Sequence, residues 1–177
     1  MAKLYRPFAH AKSIYDIDLN FFKDMGVEVL LIDLDNTLDS YKLYHPTEKA
    51  KKLIPEIIKL GIRPVIVSNN RGKRVKTYAD DLGIEFISSC AKPFPNKINR
   101  FVKENNLDKT KMMLVGDQMM TDVAAANRAH IRVILTDKIV KEDQWTTHIN
   151  RIFGRPIRKY QTKKGRMPDW RIIYGKN

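Results

Sequence analysis

The sequence predicts an α/β fold: a Rossmann-like, doubly wound parallel sheet of about five strands with helices on both faces. Three observations carry this. Short aliphatic and β-branched runs alternate with stretches of helical spacing, the order that builds successive βαβ units. The runs are nearly continuous in apolar residues, as strands buried on both faces are. Polar clusters rich in Asp, Asn and Ser follow several of them, at the strand ends where open α/β sheets bind ligands.

Residues 1–26 carry Tyr5, Phe8, Ile14, Tyr15, Phe21 and Phe22 among polar residues. That aromatic content predicts a segment packed on the domain, because disordered arms are poor in aromatics. Asp18 is placed to cap a short helix running to about Met25, with Gly26 as its stop. Val27 to Ile32 is the first strand, and Tyr41 to Thr47 a short loop. Glu48 to Leu60 reads as a helix with Leu53, Ile57 and Leu60 on one face and Gly61 after it. Pro55 within it removes a backbone donor, so a kink or a split is expected there. Strands follow at Arg63–Val67, Ile84–Ile87, Lys111–Val115 and Ile131–Leu135, with helices at Lys73–Leu82, Asn96–Asn105 and Thr121–Ala129 between them.

The chain has 177 residues, room for one domain with a sizeable core. We divide it into residues 1–150, the α/β domain, and residues 151–177, a basic C-terminal tail. The tail holds nine cations against one acid, +8 of the total net charge of +13. Trp170, Tyr160, Tyr174 and several isoleucines are interleaved with those cations. Such a segment suits an anionic membrane surface, where each cation contributes ~1 kcal/mol. It also suits phosphates and bases of nucleic acid, or a solvated tail with no partner. The single cysteine, Cys90, forms no intrachain disulfide and fits a reducing cytoplasm. Neither a signal peptide nor an apolar run of spanning length is visible.

The stretch Asp33-Leu34-Asp35-Asn36-Thr37-Leu38 directly follows the first strand. Two carboxylates so close together repel each other and resist ionising unless a cation or hydrogen-bond donors hold them. A hard divalent ion such as Mg2+ takes oxygen ligands of this kind. The same residues also suit a strand end opening into a turn. Ser68-Asn69-Asn70 ends the second strand, Ala91-Lys92-Pro93 follows the third, and Gly116-Asp117-Gln118-Met119-Met120-Thr121-Asp122 follows the fourth.

These four stretches in this order resemble the haloacid-dehalogenase (HAD) phosphatase superfamily, whose first motif has the form Asp-x-Asp-x-Thr. The resemblance implies that Asp33 is the nucleophile and Asp35 the general acid/base. It implies that Thr37, Ser68 and Asn69 bind phosphate, and that Lys92 offsets the repulsion between carboxylate and phosphate. Asp117 matches a direct Mg2+ ligand beside Asp33 and the backbone carbonyl of Asp35. Asp122 matches a further carboxylate of the metal site, one that orients bound water or Lys92. HAD enzymes usually carry a cap inserted after the first motif or before the third. Here only a loop, a helix and a strand separate Asp39 from Ser68, and only a helix and a strand separate Ser68 from Lys92. No cap fits in either place, and this arrangement resembles the capless subclass IIIA of that superfamily. Over roughly residues 10–140 the motifs resemble the YqeG family, which is similar to the mitochondrial phosphatidylglycerophosphate phosphatases.

The resemblance therefore implies a Mg2+-dependent phosphomonoesterase acting through an aspartyl-phosphate on an anionic phospholipid. Such an enzyme is expected in the cytoplasm, peripheral on the inner face of the membrane through residues 151–177. Alternatives are a soluble sugar phosphate or a nucleic-acid terminal phosphate as substrate, and, in a different class, an RNA- or ribosome-binding module with an incidental site.

Overall fold

A computed structural model describes residues 3–139 and 145–175, with side chains described from Gly154 onward in the second stretch. Strands β1 (Ala9–Ala11), β2 (Val29–Ile32), β3 (Arg63–Val67), β4 (Glu85–Ile87), β5 (Met112–Gly116) and β6 (Arg132–Thr136) form one parallel sheet. Its order is β1-β6-β5-β2-β3-β4, with β2 near the centre. The five expected strands are all there. The sixth, β1, is an Ala-His-Ala strand at the edge beside β6. Nothing in three such residues favours a strand; pairing with β6 makes it one.

Residue parity along the strands divides the core in two. Leu30, Ile32, Ile66, Met113, Val115 and Ile134 face one layer, where helices α1 (Leu19–Asp24), α2 (Glu48–Lys59) and α3 (Lys73–Leu82) pack. Val29, Leu31, Val65, Val67, Met112, Leu114, Val133 and Leu135 face the other. Against them lie α4 (Asn96–Glu104), α5 (Ala124–Ala129) and Ile157 of α6 (Trp145–Lys163). Strands covered on both sides have no polar face, which is why their sequence does not alternate.

The helix stops act as expected. The Asp18 carboxylate accepts from the Asn20 amide at the start of α1, and Gly83 closes α3 at φ 65°. Pro55 does not split α2, which runs unbroken from Glu48 to Lys59. Ala50, Ile54 and Ile57 carry its buried face, whereas Pro55 is exposed. The carbonyl deprived of its donor therefore lies on the solvent side, where water can bond it. The helix expected at Thr121 begins earlier, at Met119, as a wide turn in which the Val123 amide bonds the Gln118 carbonyl at 3.2 Å.

The basic C-terminal segment departs further from expectation. The boundary drawn between residues 150 and 151 falls inside α6. Beyond it, α7 (Trp170–Tyr174) returns to the sheet. The His10 amide donates to the Pro168 carbonyl at 2.8 Å, and Trp170 is buried against Phe21 with ring centroids 5.7 Å apart. Burial of a ring of this size outweighs the ordering of a short helix, so Trp170 and Tyr174 serve the core. Arg151, Ile152, Phe153 and Lys176, also counted in that segment, have side chains outside the described residues.

Candidate active site

The parallel order brings three polar strand ends to one place. Ile32 is in register with Ile66 on one side and Val115 on the other, so Asp33, Ser68 and Asp117 emerge at the same edge of the sheet. The Asp33 amide still bonds the Val115 carbonyl at 2.9 Å, which holds the Asp33 backbone in the ladder. Asn36, at φ 65°, then turns the chain sharply; its amide donates to the Asp39 carbonyl at 2.7 Å. Asn tolerates that left-handed conformation better than most residues.

Lys92 reaches the same point from the loop after β4. That loop is stitched to the Ser68–Asn70 turn through four bonds. Cys90 and Ser89 amides donate to the Ser68 and Asn70 carbonyls, each at 2.9 Å. The Asn69 side chain accepts from the Lys92 amide at 2.7 Å and donates to the Lys92 carbonyl at 2.9 Å. Asn69, matched above to phosphate binding, thus spends its amide group on placing Lys92. Cys90 is buried, and burial raises its thiol pKa, so it is a packing residue here.

The Lys92 ammonium is enclosed by three acceptors. It donates to Asp33 Oδ1 at 2.5 Å, Asp122 Oδ1 at 2.6 Å and the Val67 carbonyl at 3.0 Å. Burial alone would lower its pKa, but Asp122 and Asp33 outweigh that and hold the lysine charged. The other Asp122 oxygen accepts from the Gln118 amide at 3.0 Å. Both its oxygens are therefore engaged, and its direct partner is Lys92. Asp122 reaches that position by passing over Gly116, where a Cβ would lie 2.5 Å from the Asp122 Cβ and Cγ. Only glycine fits at that position.

Asp35 is turned away from this group. Its Oδ2 accepts from Asn70 at 2.8 Å and from the Ser68 hydroxyl at 3.3 Å, and its Oδ1 forms a 2.8 Å ion pair with Arg74. Arg74 also donates to the Leu43 and Ser40 carbonyls, tying the loop after the first motif to α3. Neither Asn70 nor Arg74 was singled out from the sequence. No local pattern distinguishes an arginine in the first turn of an amphipathic helix; its partner lies in another element.

A divalent cation fits the remainder. Oxygen atoms of Asp33, Asp117 and Asp122 lie within 4.8 Å of one another, and all three residues are buried. The Asp33 Oδ2 and Thr37 hydroxyl oxygens are buried without a hydrogen-bond partner, an expensive arrangement unless a ligand completes it. Burial raises the Asp33 pKa well above the carboxylate range. Lys92 pulls it down, and Asp122, Asp117 and Asp35 push it up again. The cluster is short of positive charge, and an oxygen-seeking cation supplies it. Asp35 contributes no side-chain oxygen to this cluster.

A buried carboxylate cluster and a buried lysine at the carboxyl edge of a parallel sheet form a site suited to anionic groups and a cation. Residues 8–130 match the hydrolase family described as haloacid dehalogenase-like hydrolase. The chain is 33% identical over 165 residues to a protein named probable phosphatase YqeG from Bacillus subtilis, covering 93% of this chain and 96% of that protein. It also resembles two solved structures, the cobalt-bound deoxy-D-mannose-octulosonate 8-phosphate phosphatase of Haemophilus influenzae and the 3-deoxy-D-manno-octulosonate 8-phosphate phosphatase of Yersinia pestis. The first has 13% identity and a TM-score of 0.51, covering 80% of this chain and 92% of that one. The second also has 13% identity and a TM-score of 0.51, covering 72% and 83%. At such identities the likeness is one of fold. The chain belongs to the haloacid dehalogenase-like hydrolases, and it is an enzyme of the phosphatase type.

Proposed function

We propose that this enzyme hydrolyses a phosphomonoester through an aspartyl-phosphate on Asp33, with Mg2+ as its metal and phosphatidylglycerophosphate as its substrate. The observation that carries the chemistry is the buried Asp33–Lys92–Asp122 trio beside Asp117. Asp33 attacks phosphorus in line with the leaving oxygen, forming the acyl phosphate. Lys92, fixed by Asp122, offsets the charge between carboxylate and phosphate. Asp35, held by Arg74, Asn70 and Ser68, protonates the departing alkoxide and later takes a proton from the attacking water. Thr37, whose hydroxyl is buried without a hydrogen-bond partner, would offer that hydroxyl to the phosphate, and Ser68 would do so on releasing Asp35. Bound between Asp33 and Asp117, with the Asp35 carbonyl, the cation would supply Lewis acidity and neutralise phosphate charge.

The lipid assignment rests on the open site and the basic C-terminal segment. No cap is inserted between β2 and β3 or between β3 and β4. Although Trp170 is buried, Ile172 and Tyr160 are exposed beside Arg171 and Lys159, a composition suited to an anionic bilayer. No helix among the described residues is long and apolar enough to cross a membrane, so we infer peripheral contact with the inner face. The test is Mg2+-dependent phosphate release from phosphatidylglycerophosphate in mixed micelles, beside soluble sugar phosphates and end-phosphorylated oligonucleotides. Preferential release from the lipid, abolished in a folded Asp33→Asn variant, is expected. Turnover of only the soluble or nucleic-acid substrates overturns the lipid assignment. Wild-type rates in Asp33→Asn remove Asp33 from the mechanism.

A further inference from the structure

Helix α6 forms one wall of a recess that Asp117 also lines. This recess of about 210 Å3 opens between the Asp117–Met119 turn and α6, lined also by Leu135, Asp137, Lys138, Gly154, Arg155 and Arg158. Water occupies ~30 Å3 per molecule in the liquid, so the recess has room for a group the size of a carboxylate or a phosphate. Helix α6 reaches the turn closely: a Cβ on Gly154 would lie 3.6 Å from Met120 and 3.7 Å from Met119. The helix therefore sits on the same turn that presents Asp117 to the metal site.

The charges in this recess are unequal in availability. Arg158 is answered by Asp137 and His10, both across the edge of the sheet. Arg155 lines the recess from an exposed position, and no carboxylate among the described residues pairs with it. Its guanidinium lines the same recess as Asp117 without forming an ion pair with a described residue there. It is well placed to take a planar or tetrahedral oxyanion through two parallel hydrogen bonds. An anion held there is within one small molecule's reach of a phosphate at Asp33, because Asp117 belongs to both the recess and the carboxylate cluster.

Resting on the phosphatase reading of Asp33, we propose that this recess is a specificity subsite. In it, Arg155 binds a second anionic group of the substrate, a phosphodiester or a carboxylate, carried a few bonds from the scissile phosphomonoester. Helix α6 then does what an inserted cap does in larger enzymes: it supplies recognition from outside the catalytic motifs. Bis-anionic esters are selected over simple phosphomonoesters.

The experiment compares wild type, Arg155→Gln and Arg155→Lys on three probes. These are p-nitrophenyl phosphate, with no second anion; 3-phosphoglycerate, with a carboxylate; and short-chain phosphatidylglycerophosphate, with a phosphodiester. The expected result is a fall of about 10- to 100-fold in the preference of Arg155→Gln for a bis-anionic probe over p-nitrophenyl phosphate, seen mainly in KM. Arg155→Lys should recover part of it. A loss confined to the lipid assigns the phosphodiester, and one confined to phosphoglycerate assigns the carboxylate. An equal change on all three probes, or none, overturns the subsite while leaving the phosphatase reading intact. Absence of Asp33-dependent turnover of any probe by wild type overturns both.

Discussion

Replacing Lys92 with methionine removes one charge from the centre of the site while keeping most of the side-chain volume. The Lys92 side chain is 2% exposed and lies 2.5 Å from Asp33 and 2.6 Å from Asp122. At an effective dielectric constant of ~20, each contact is an attraction of ~6 kcal/mol. Desolvation offsets most of that, and breaking a buried pair costs ~3–5 kcal/mol net, because the partner charges stay behind. Two buried carboxylates would then face each other without a cation. The expected result is a loss of ~3–5 kcal/mol in urea unfolding free energy in chelator, with the denaturant slope unchanged. Mg2+ should narrow the gap to wild type, because the site left without the lysine charge binds the cation more tightly and is stabilised more by it. Turnover should drop by roughly 10²–10³, the range for one charge-stabilising donor. A Lys92→Met protein within ~1 kcal/mol of wild type in chelator would refute the reasoning, because the trio would then hold no net energy.

Two further outcomes follow from contacts between distant elements. Arg74→Gln removes the ion pair that orients Asp35; kcat should fall by about 10- to 100-fold with KM little changed, and an unchanged kcat in steady-state assays would mean that Asp35 needs no such clamp. Trp170→Ala empties a buried ring site packed on Phe21; it should cost ~3–5 kcal/mol and lower Tm by roughly 6–20 °C in a chain of this size. A calorimetric shift below that range would mark residues 154–175 as loosely attached.

Three of the candidate site residues were legible because each directly follows an apolar run that is itself legible. Asp33 after Val29–Ile32, Ser68 after Arg63–Val67 and Asp117 after Met112–Gly116 share one rule: polar residues at the carboxyl ends of parallel strands meet. The helices were legible for a similar reason, since Asp18, Gly61 and Gly83 are local signals read by the backbone beside them. The edge strand at Ala9–Ala11 was not, because its residues have no strand preference and its partner is β6. Asn69 resembled a phosphate ligand in the sequence, and in the fold it clasps the Lys92 backbone.

What the sequence determined by itself was the order of strands and helices between Leu19 and Thr136, the double burial of the sheet and the identity of the acidic and basic groups at its edge. These depend on residue type and short-range period, which neighbouring residues carry. The tertiary structure alone decided that Asp122 spends both oxygens within the protein and that Arg74 holds Asp35. It also decided that the basic C-terminal segment supplies Trp170 to the core and Arg155 to the recess that Asp117 lines. Those roles are contacts between elements far apart in the chain. Their energies arise from burial and distance, and both exist only once the elements have packed.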